Sequence, residues 1–363
     1  MDVETKLAVV RSFAQEIVTA EDLKHLFETN DHPIVYDGFE PSGGMAPIHF
    51  GLLRAKNLKK MLDIGVHFKL FLADYYAFIN NKLEGNMDHI RKTGEYFIEV
   101  WRACGIDMSK VEVIWAKDLM DRIDYWDRFI RVGRSTTIDR IRRAITIMGR
   151  REGEAVSAAQ LFYPAMQVTD VFQLDIDICE MGMEQRKANI LAREIAQKEK
   201  WHVPVAVHHP LMLGLQGMPQ QGAGENDRQD AAIEYKMSKS NPKSAIYVHD
   251  SYETIKKKIN GAYCPERVVD GNPLFNYLEL VIIEDRTIPI AIDRPQKFGG
   301  PIEFSNYADM VEKYKEGKLH PADLKAYVAD GLEKLISPAR GYFEKNKRAG
   351  ELYKEVSGYM ITR

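Results

Sequence analysis

The chain is poor in cysteine: Cys104, Cys179 and Cys264 are its only three, far apart and with no CxxC pair. Such usage excludes a disulfide framework and a cysteine zinc site, and fits buried thiols in a reducing compartment. Any apolar run of about 18 residues, the length a membrane-spanning helix needs, is also lacking. The start, Met1-Asp2-Val3-Glu4-Thr5-Lys6, has neither an apolar leader core nor paired arginines. Secretion and membrane insertion are therefore not expected, and a cytoplasmic location is. Charge of one sign is missing too. With 50 Lys and Arg against 53 Asp and Glu the net charge is −3, so any nucleic-acid contact must rest on local basic clusters. No internal repeat is present, which excludes a solenoid or propeller. What remains is an ordinary globular composition, 45% hydrophobic and 28% charged over 363 residues, long enough for two or three domains.

Through the first two-thirds, short apolar runs alternate with helix-like stretches. Pro33 to Gly38, Phe68 to Ala73, Val111 to Trp115, Asp175 to Cys179 and Val203 to His208 read as strands. Amphipathic segments lie between them, such as Leu52 to Leu62, with Leu52, Leu53, Leu58, Met61 and Leu62 on one side. This alternation predicts an α/β fold whose Rossmann-like parallel sheet is covered on both faces. Ligands of such sheets bind at the carboxyl ends of the strands. A helical insert is expected over 116–160, and a mobile Gly/Gln-rich linker at Gly214 to Asp230. Beyond it the chain reads mainly as helices, for example Pro321 to Ile336 with Leu324, Val328, Leu332 and Leu335. The division expected is a catalytic domain over 1–230, a loop over 231–245 and a mainly helical C-terminal domain over 246–363.

Two segments carry phosphate chemistry. Lys236-Met237-Ser238-Lys239-Ser240 follows the glycine-rich linker. Two lysines among small or flexible neighbours can bring ammonium groups onto a polyphosphate, where negative charge builds up during displacement. The first strand leads into Gly38-Phe39-Glu40-Pro41-Ser42-Gly43-Gly44-Met45-Ala46-Pro47-Ile48-His49-Phe50-Gly51. Its glycines allow a tight turn, and the following helix offers free N–H groups and its positive dipole end to phosphate. His49, near that helix start, can donate to a phosphate oxygen. Each segment alone also fits a bland reading: a solvated lysine-rich loop, or a glycine turn with a structural histidine.

Two more segments carry recognition. In Tyr163-Pro164-Ala165-Met166-Gln167-Val168-Thr169-Asp170, positions 163, 167 and 170 fall on one helix face, so a phenol, an amide and a carboxylate converge. Gly182-Met183-Glu184-Gln185-Arg186-Lys187 follows a strand and opens a helix.

Taken together, these segments resemble class I aminoacyl-tRNA synthetases. The HIGH signature is written here as His49-Phe50-Gly51-Leu52, with Leu52 replacing the second histidine, and KMSKS is complete. YPxMQxxD and GMEQRK, with Tyr36 in the first strand, resemble the tyrosyl-tRNA synthetases of archaeal and eukaryotic type. The similarity continues through Ala262-Tyr263-Cys264-Pro265, Lys297-Phe298-Gly299-Gly300 and Leu319-His320-Pro321-Ala322-Asp323. The resemblance implies that Tyr36 and Asp170 meet a substrate phenol hydroxyl, while Tyr163, Gln167 and Gln185 hold its ammonium group. Glu40 belongs to the pocket wall or its hydrogen-bond network. ATP is implied at Gly38, His49, Gly51, Lys236, Lys239 and Ser240, with His49, Lys236 and Lys239 catalytic. Mg²⁺ would arrive with ATP, since nothing suggests a protein-held metal.

Residues 138–151 show helical period, with Ile138, Ile141, Ile145 and Met148 on one face and Arg140, Arg143, Arg150 and Arg151 on the other. Most such faces are simply solvated, and the same reading holds for Lys256-Lys257-Lys258. The resemblance implies instead a homodimer contact in the insert and a tRNA(Tyr) acceptor stem met by Arg143 and Arg186. It also implies an anticodon-reading C-terminal domain, although Pro301 stands where some members have an aspartate after FGG. Three alternatives stay open: a tryptophanyl-tRNA synthetase, a synthetase-like RNA-binding protein of weak catalysis, and a related nucleotidyltransferase. The Tyr36/Asp170 pair and the intact YPxMQxxD segment favour tyrosine.

Overall fold

The computed structural model describes residues 1–149, 156–218, 233–237, 242–284 and 286–360. Six strands form the main sheet: β1 (Glu16–Val18), β2 (Ile34–Phe39), β3 (His67–Leu72), β4 (Val111–Trp115), β5 (Ile178–Gly182) and β6 (Val205–His209). Their order is β1-β6-β5-β2-β3-β4. All neighbours run parallel except β1, which lies antiparallel on β6. All five residues of β5 and of β6 are buried, the mark of strands covered on both faces. From β2 the chain steps outward to β3 and β4, then returns to lay β5 on the other side of β2. The switch point therefore falls between β2 and β5, where a crevice opens at the carboxyl ends.

Four of the expected strands agree to within two residues, and β5 begins three residues later than expected. The reason is local. Helix Ala158–Gln173 ends in a turn where Asp175 has φ +52°, a left-handed conformation that cannot belong to a strand. The short antiparallel β1 gives no alternating signal and was not anticipated.

Helix Ala158–Gln173 starts on a capping box, Ser157 and Gln160 bonding each other's backbone N–H. From Tyr163 to Gln173 every residue is buried, because the helix runs between the sheet and the insert. Residues 138–148 begin as helix Ile138–Ala144, tighten to a 3₁₀ turn over Ile145–Met148, and stop at Gly149 with φ +79°. Ile141, Ile145, Ile147 and Met148 are buried, but Ile138 is 67% exposed and leaves the expected apolar face. Arg150, Arg151 and residues 219–230 of the linker lie outside the described residues.

Three cores result. One covers one face of the sheet (Leu58, Phe68, Trp101, Val207) and another the opposite face (Phe71, Ile114, Val168, Ile195). The third unites Ile246, Ile255, Tyr277, Leu324 and Leu332 beyond residue 245, and reaches back to Ile48, Leu53 and Met237. Helices Pro321–Lys345 and Lys347–Ser357 end the described chain, with Phe343, Leu352 and Val356 packed into the first core. Among the described residues no helix is long and apolar enough to cross a membrane.

Candidate active site

β2 and helix Ala158–Gln173 bring the predicted recognition residues together. Tyr36, in β2, is 1% exposed, and its buried hydroxyl makes no well-formed hydrogen bond, although the Gln167 side chain interacts with it. Burial, with Cys179, Asp170 and Asp37 nearby, pushes this phenol well above its ordinary pKa, so it is a neutral O–H. Asp170 is buried and accepts from two phenols: Tyr76 bonds Oδ2, and Tyr125 bonds Oδ1 at 3.1 Å. Burial lifts the Asp170 carboxyl to about 8, against the pull of those two donated bonds.

One turn back along the helix, Gln167 Nε2 donates to Gln185 Oε1 at 3.2 Å, and Gln185 Nε2 donates to the Ile147 carbonyl at 3.1 Å. The Tyr163 hydroxyl donates to Glu40 Oε1 at 2.6 Å. Asn80 Nδ2 donates to both Glu40 oxygens at 3.2 and 3.3 Å and to the Met148 carbonyl at 3.0 Å. The Tyr76 and Tyr163 rings meet edge to face, centroids 4.7 Å apart. Tyr36, Glu40, Tyr163, Gln167, Asp170 and Gln185 thus belong to one cluster of polar side chains around helix Ala158–Gln173.

Beside it lies a solvent-open cleft of about 330 Å³, lined by His49, Arg54, Glu184, His209 and Lys236 among others. His49 opens the helical segment after β2, Glu184 follows the end of β5, and His209 ends β6. Arg54 donates to both oxygens of Asp37 at 2.6 and 2.7 Å and reaches Glu184 at 3.4 Å. Lys236 stands 4.0 Å from the same Glu184. Burial would raise the Glu184 carboxyl, but Lys236, Arg54 and His209 hold it down at about 2. The cleft therefore carries ionised groups of both signs.

Backbone bonds tie the segment that leads into His49 to residues 246–248, beyond the lysine segment. Ile48 N–H donates to Ile246 O at 2.9 Å and Val248 N–H to Ala46 O at 3.0 Å. Lys236 forms a β-bridge with Leu213, and Met237 is 2% exposed in the third core. Met237 thereby anchors the start of the lysine segment, a role the motif alone did not suggest. Lys239 and Ser240 lie outside the described residues.

The glycines differ. Gly38 has room, since a Cβ there would make ordinary contacts with Phe71 at 3.5 Å and Met181 at 3.7 Å. At Gly51 a Cβ would lie 2.4 Å from Val248 Cγ1. The Cα–H of Gly51 points into packing, so its requirement is close approach of two chain segments.

The arginines also separate. Arg143 is exposed with no ion-pair partner among the described residues, whereas Arg186 holds Glu16 at 2.8 Å. Arg140 is bound to Glu194 at 3.0 Å, and Lys256 and Lys258 pair with Glu253 and Asp250. Among the described residues no group of three or more His, Cys, Asp or Glu could hold a metal ion.

Sequence reasoning missed Tyr76, Asn80, Tyr125 and Arg54. Tyr76 and Asn80 did have a signal, since they follow the carboxyl end of β3, where such sheets gather ligand groups. Tyr125 and Arg54 had none, being placed by packing alone.

The geometry is that of a charged cleft beside a buried cluster of phenols, amides and carboxylates. The model for "tRNA synthetases class I (W and Y)" matches residues 28–337, and the chain belongs to this family. Its relatives there include tyrosine–tRNA ligases. The chain is 40% identical to the tyrosine–tRNA ligase of Thermococcus kodakarensis, covering all of both chains. It is 39% identical to tyrosine–tRNA ligase 1, cytoplasmic, of Arabidopsis thaliana, covering all of this chain and 90% of that one. The tyrosyl-tRNA synthetase of Pyrococcus horikoshii complexed with L-tyrosine superposes with a TM-score of 0.90 at 37% identity, over 98% of this chain and all of that one.

Proposed function

We propose that this protein is a tyrosine–tRNA ligase that joins L-tyrosine to ATP, giving tyrosyl-adenylate and pyrophosphate, and then transfers the tyrosyl group to tRNA(Tyr). The carrying observation is the buried Asp170 beside the Tyr36 hydroxyl, which makes no well-formed hydrogen bond. A substrate phenol fits there as donor to Asp170 and acceptor from Tyr36. Phenylalanine would offer no hydroxyl to the Tyr36 O–H or to the remaining lone pairs of Asp170, and this enzyme class is the standard illustration of discrimination by such loss.

In the first step the tyrosine carboxylate, already ionised, attacks the α-phosphate of ATP, so no general base is needed. Tyr163, Gln167 and Gln185 hold the substrate ammonium, and Glu40 fixes the Tyr163 hydroxyl. His49, Lys236 and Lys239 supply hydrogen bonds and positive charge to the phosphates, with Gly38, Gly51 and Ser240 completing the nucleotide site. Mg²⁺ accompanies ATP as part of the substrate. A terminal ribose hydroxyl of the tRNA then attacks the adenylate carbonyl.

The division into a catalytic domain over 1–230, a KMSKS loop over 231–245 and an anticodon-binding domain over 246–363 belongs to the same reading, as do a cytoplasmic location and a homodimer. Support for the dimer is an apolar surface on the insert: Ile123, Ile130, Ile138 and Phe162 are 86, 66, 67 and 51% exposed. Arg143, exposed near the pocket, suits an acceptor-stem phosphate. Arg186 would first have to leave Glu16.

Amino-acid-dependent ATP–pyrophosphate exchange is the test. Exchange with tyrosine alone among the amino acids is expected; exchange with tryptophan alone, or none, would reject the assignment.

A further inference from the structure

Asp170 has an unusual retinue: four phenols and no cation. Tyr36 faces it from β2, Tyr76 from helix Asp74–Ile79, Tyr125 from helix Ile123–Arg134, and Tyr163 from its own helix. All are buried, and among the described residues no lysine, arginine or histidine pairs with the carboxylate. Two of the four are committed to it, Tyr76 on Oδ2 and Tyr125 on Oδ1. An ionised carboxylate offers about four acceptor positions, so each oxygen keeps capacity for one more donor. The Tyr36 hydroxyl, which makes no well-formed hydrogen bond, stands among these groups.

We infer that Tyr76 and Tyr125 are positioning residues for substrate choice: their hydroxyls fix the Asp170 carboxylate from behind and keep it an acceptor toward an incoming phenol. This deepens the proposed tyrosine site and rests on it. A carboxyl buried without a counter-charge favours its protonated form, and a protonated carboxyl offers fewer acceptor positions to the substrate. Two donated hydrogen bonds oppose that tendency. They also restrain the side-chain torsion that aims the carboxylate, because the donors come from two different helices.

Specificity would then depend on hydroxyls that need not touch the substrate. Tyr76→Phe and Tyr125→Phe each remove one oxygen and keep the ring, so the packing of Tyr76 on Tyr163 and Phe71 survives.

The test is ATP–pyrophosphate exchange with L-tyrosine and with L-phenylalanine from pH 6.5 to 9.5, for the wild type, the two phenylalanine variants, Asp170→Asn and the double variants. Thermal melts check that each remains folded. Each Tyr→Phe change should raise KM for tyrosine and cut the tyrosine/phenylalanine preference about ten-fold, with KM for ATP unmoved. The pH at which tyrosine KM improves should move upward, a change that a merely structural role would not produce. In the Asp170→Asn background, Tyr76→Phe should have no further effect on the preference. Wild-type preference and pH profile in both phenylalanine variants, alongside a loss in Asp170→Asn, would overturn the inference and leave the pocket standing. Additive losses in the double variants would also overturn it. Unchanged preference in Asp170→Asn itself would instead remove the pocket, and the inference with it.

Discussion

The imidazole of His249 lies on the ring of Tyr353, centroids 3.6 Å apart and planes 9° from parallel. The same imidazole accepts at Nε2 from the Tyr96 hydroxyl at 2.8 Å, and Tyr96 accepts the Ala46 N–H at 3.1 Å. Helix Lys347–Ser357 is thereby linked to the loop that presents His49. Burial holds the His249 imidazole down at about 3. A histidine depressed from 6.5 binds fewer protons folded than unfolded. Its contribution is therefore intact above 6.5 and lost as pH falls from 6.5 toward 3. In urea melts across that window, His249→Gln should lose less stability than wild type. Parallel pH curves would contradict the neutral, buried imidazole.

Asp170 has the opposite sign. Its carboxyl is raised from 3.8 to about 8, so the folded chain holds a proton that the unfolded chain has already lost. Stability from this group is fully present below 3.8 and disappears as pH rises to about 8. Asp170→Asn should accordingly gain stability over wild type as pH rises from 4 to 8, while its tyrosine affinity falls by about 1.5–3 kcal/mol. Urea midpoints and exchange kinetics read the two effects separately.

Lys236 rests against Glu184 at 4.0 Å in the cleft. A cation that acts on developing phosphate charge should affect rate more than affinity for the amino acid. Lys236→Ala should slow adenylate formation about a hundred-fold with little change in tyrosine KM, and Lys239→Ala should act in the same sense. Single-turnover kinetics measure this; collapse of tyrosine affinity at an unaltered rate would mark a structural loop.

Gly51 tests the contact between the His49 segment and residues 246–248. Placing a methyl group 2.4 Å from Val248 Cγ1 should cost about 1–3 kcal/mol through overpacking against the Val248 side chain. Thermal or urea unfolding of Gly51→Ala gives the value, and no loss would mean that the 246–248 segment yields freely.

The insert surface makes a fifth prediction. Ile130→Glu puts a charge into the exposed apolar patch of Ile123, Ile130, Ile138 and Phe162, which a dimer would bury. Sedimentation should show a dimer for wild type and a shift toward monomer for the variant. A monomeric wild type would remove the dimer from the proposal.

Much of this protein was settled by local sequence. Ile178–Gly182, Val205–His209 and the neighbouring apolar runs read as covered strands, and the 163/167/170 spacing could put three polar groups only on one helix face. These are matters of backbone period, which neighbours along the chain fix. What the sequence could not express was encounter. Tyr76 and Tyr125 meet Asp170 across 94 and 45 residues, and Arg54 finds Asp37 across 17. The β5 start moved because Asp175 had to turn left-handed, and Arg186 was taken by Glu16 from an edge strand with no pattern of its own. Packing decided these, since burial leaves each polar group to bond with whatever the other elements bring to it.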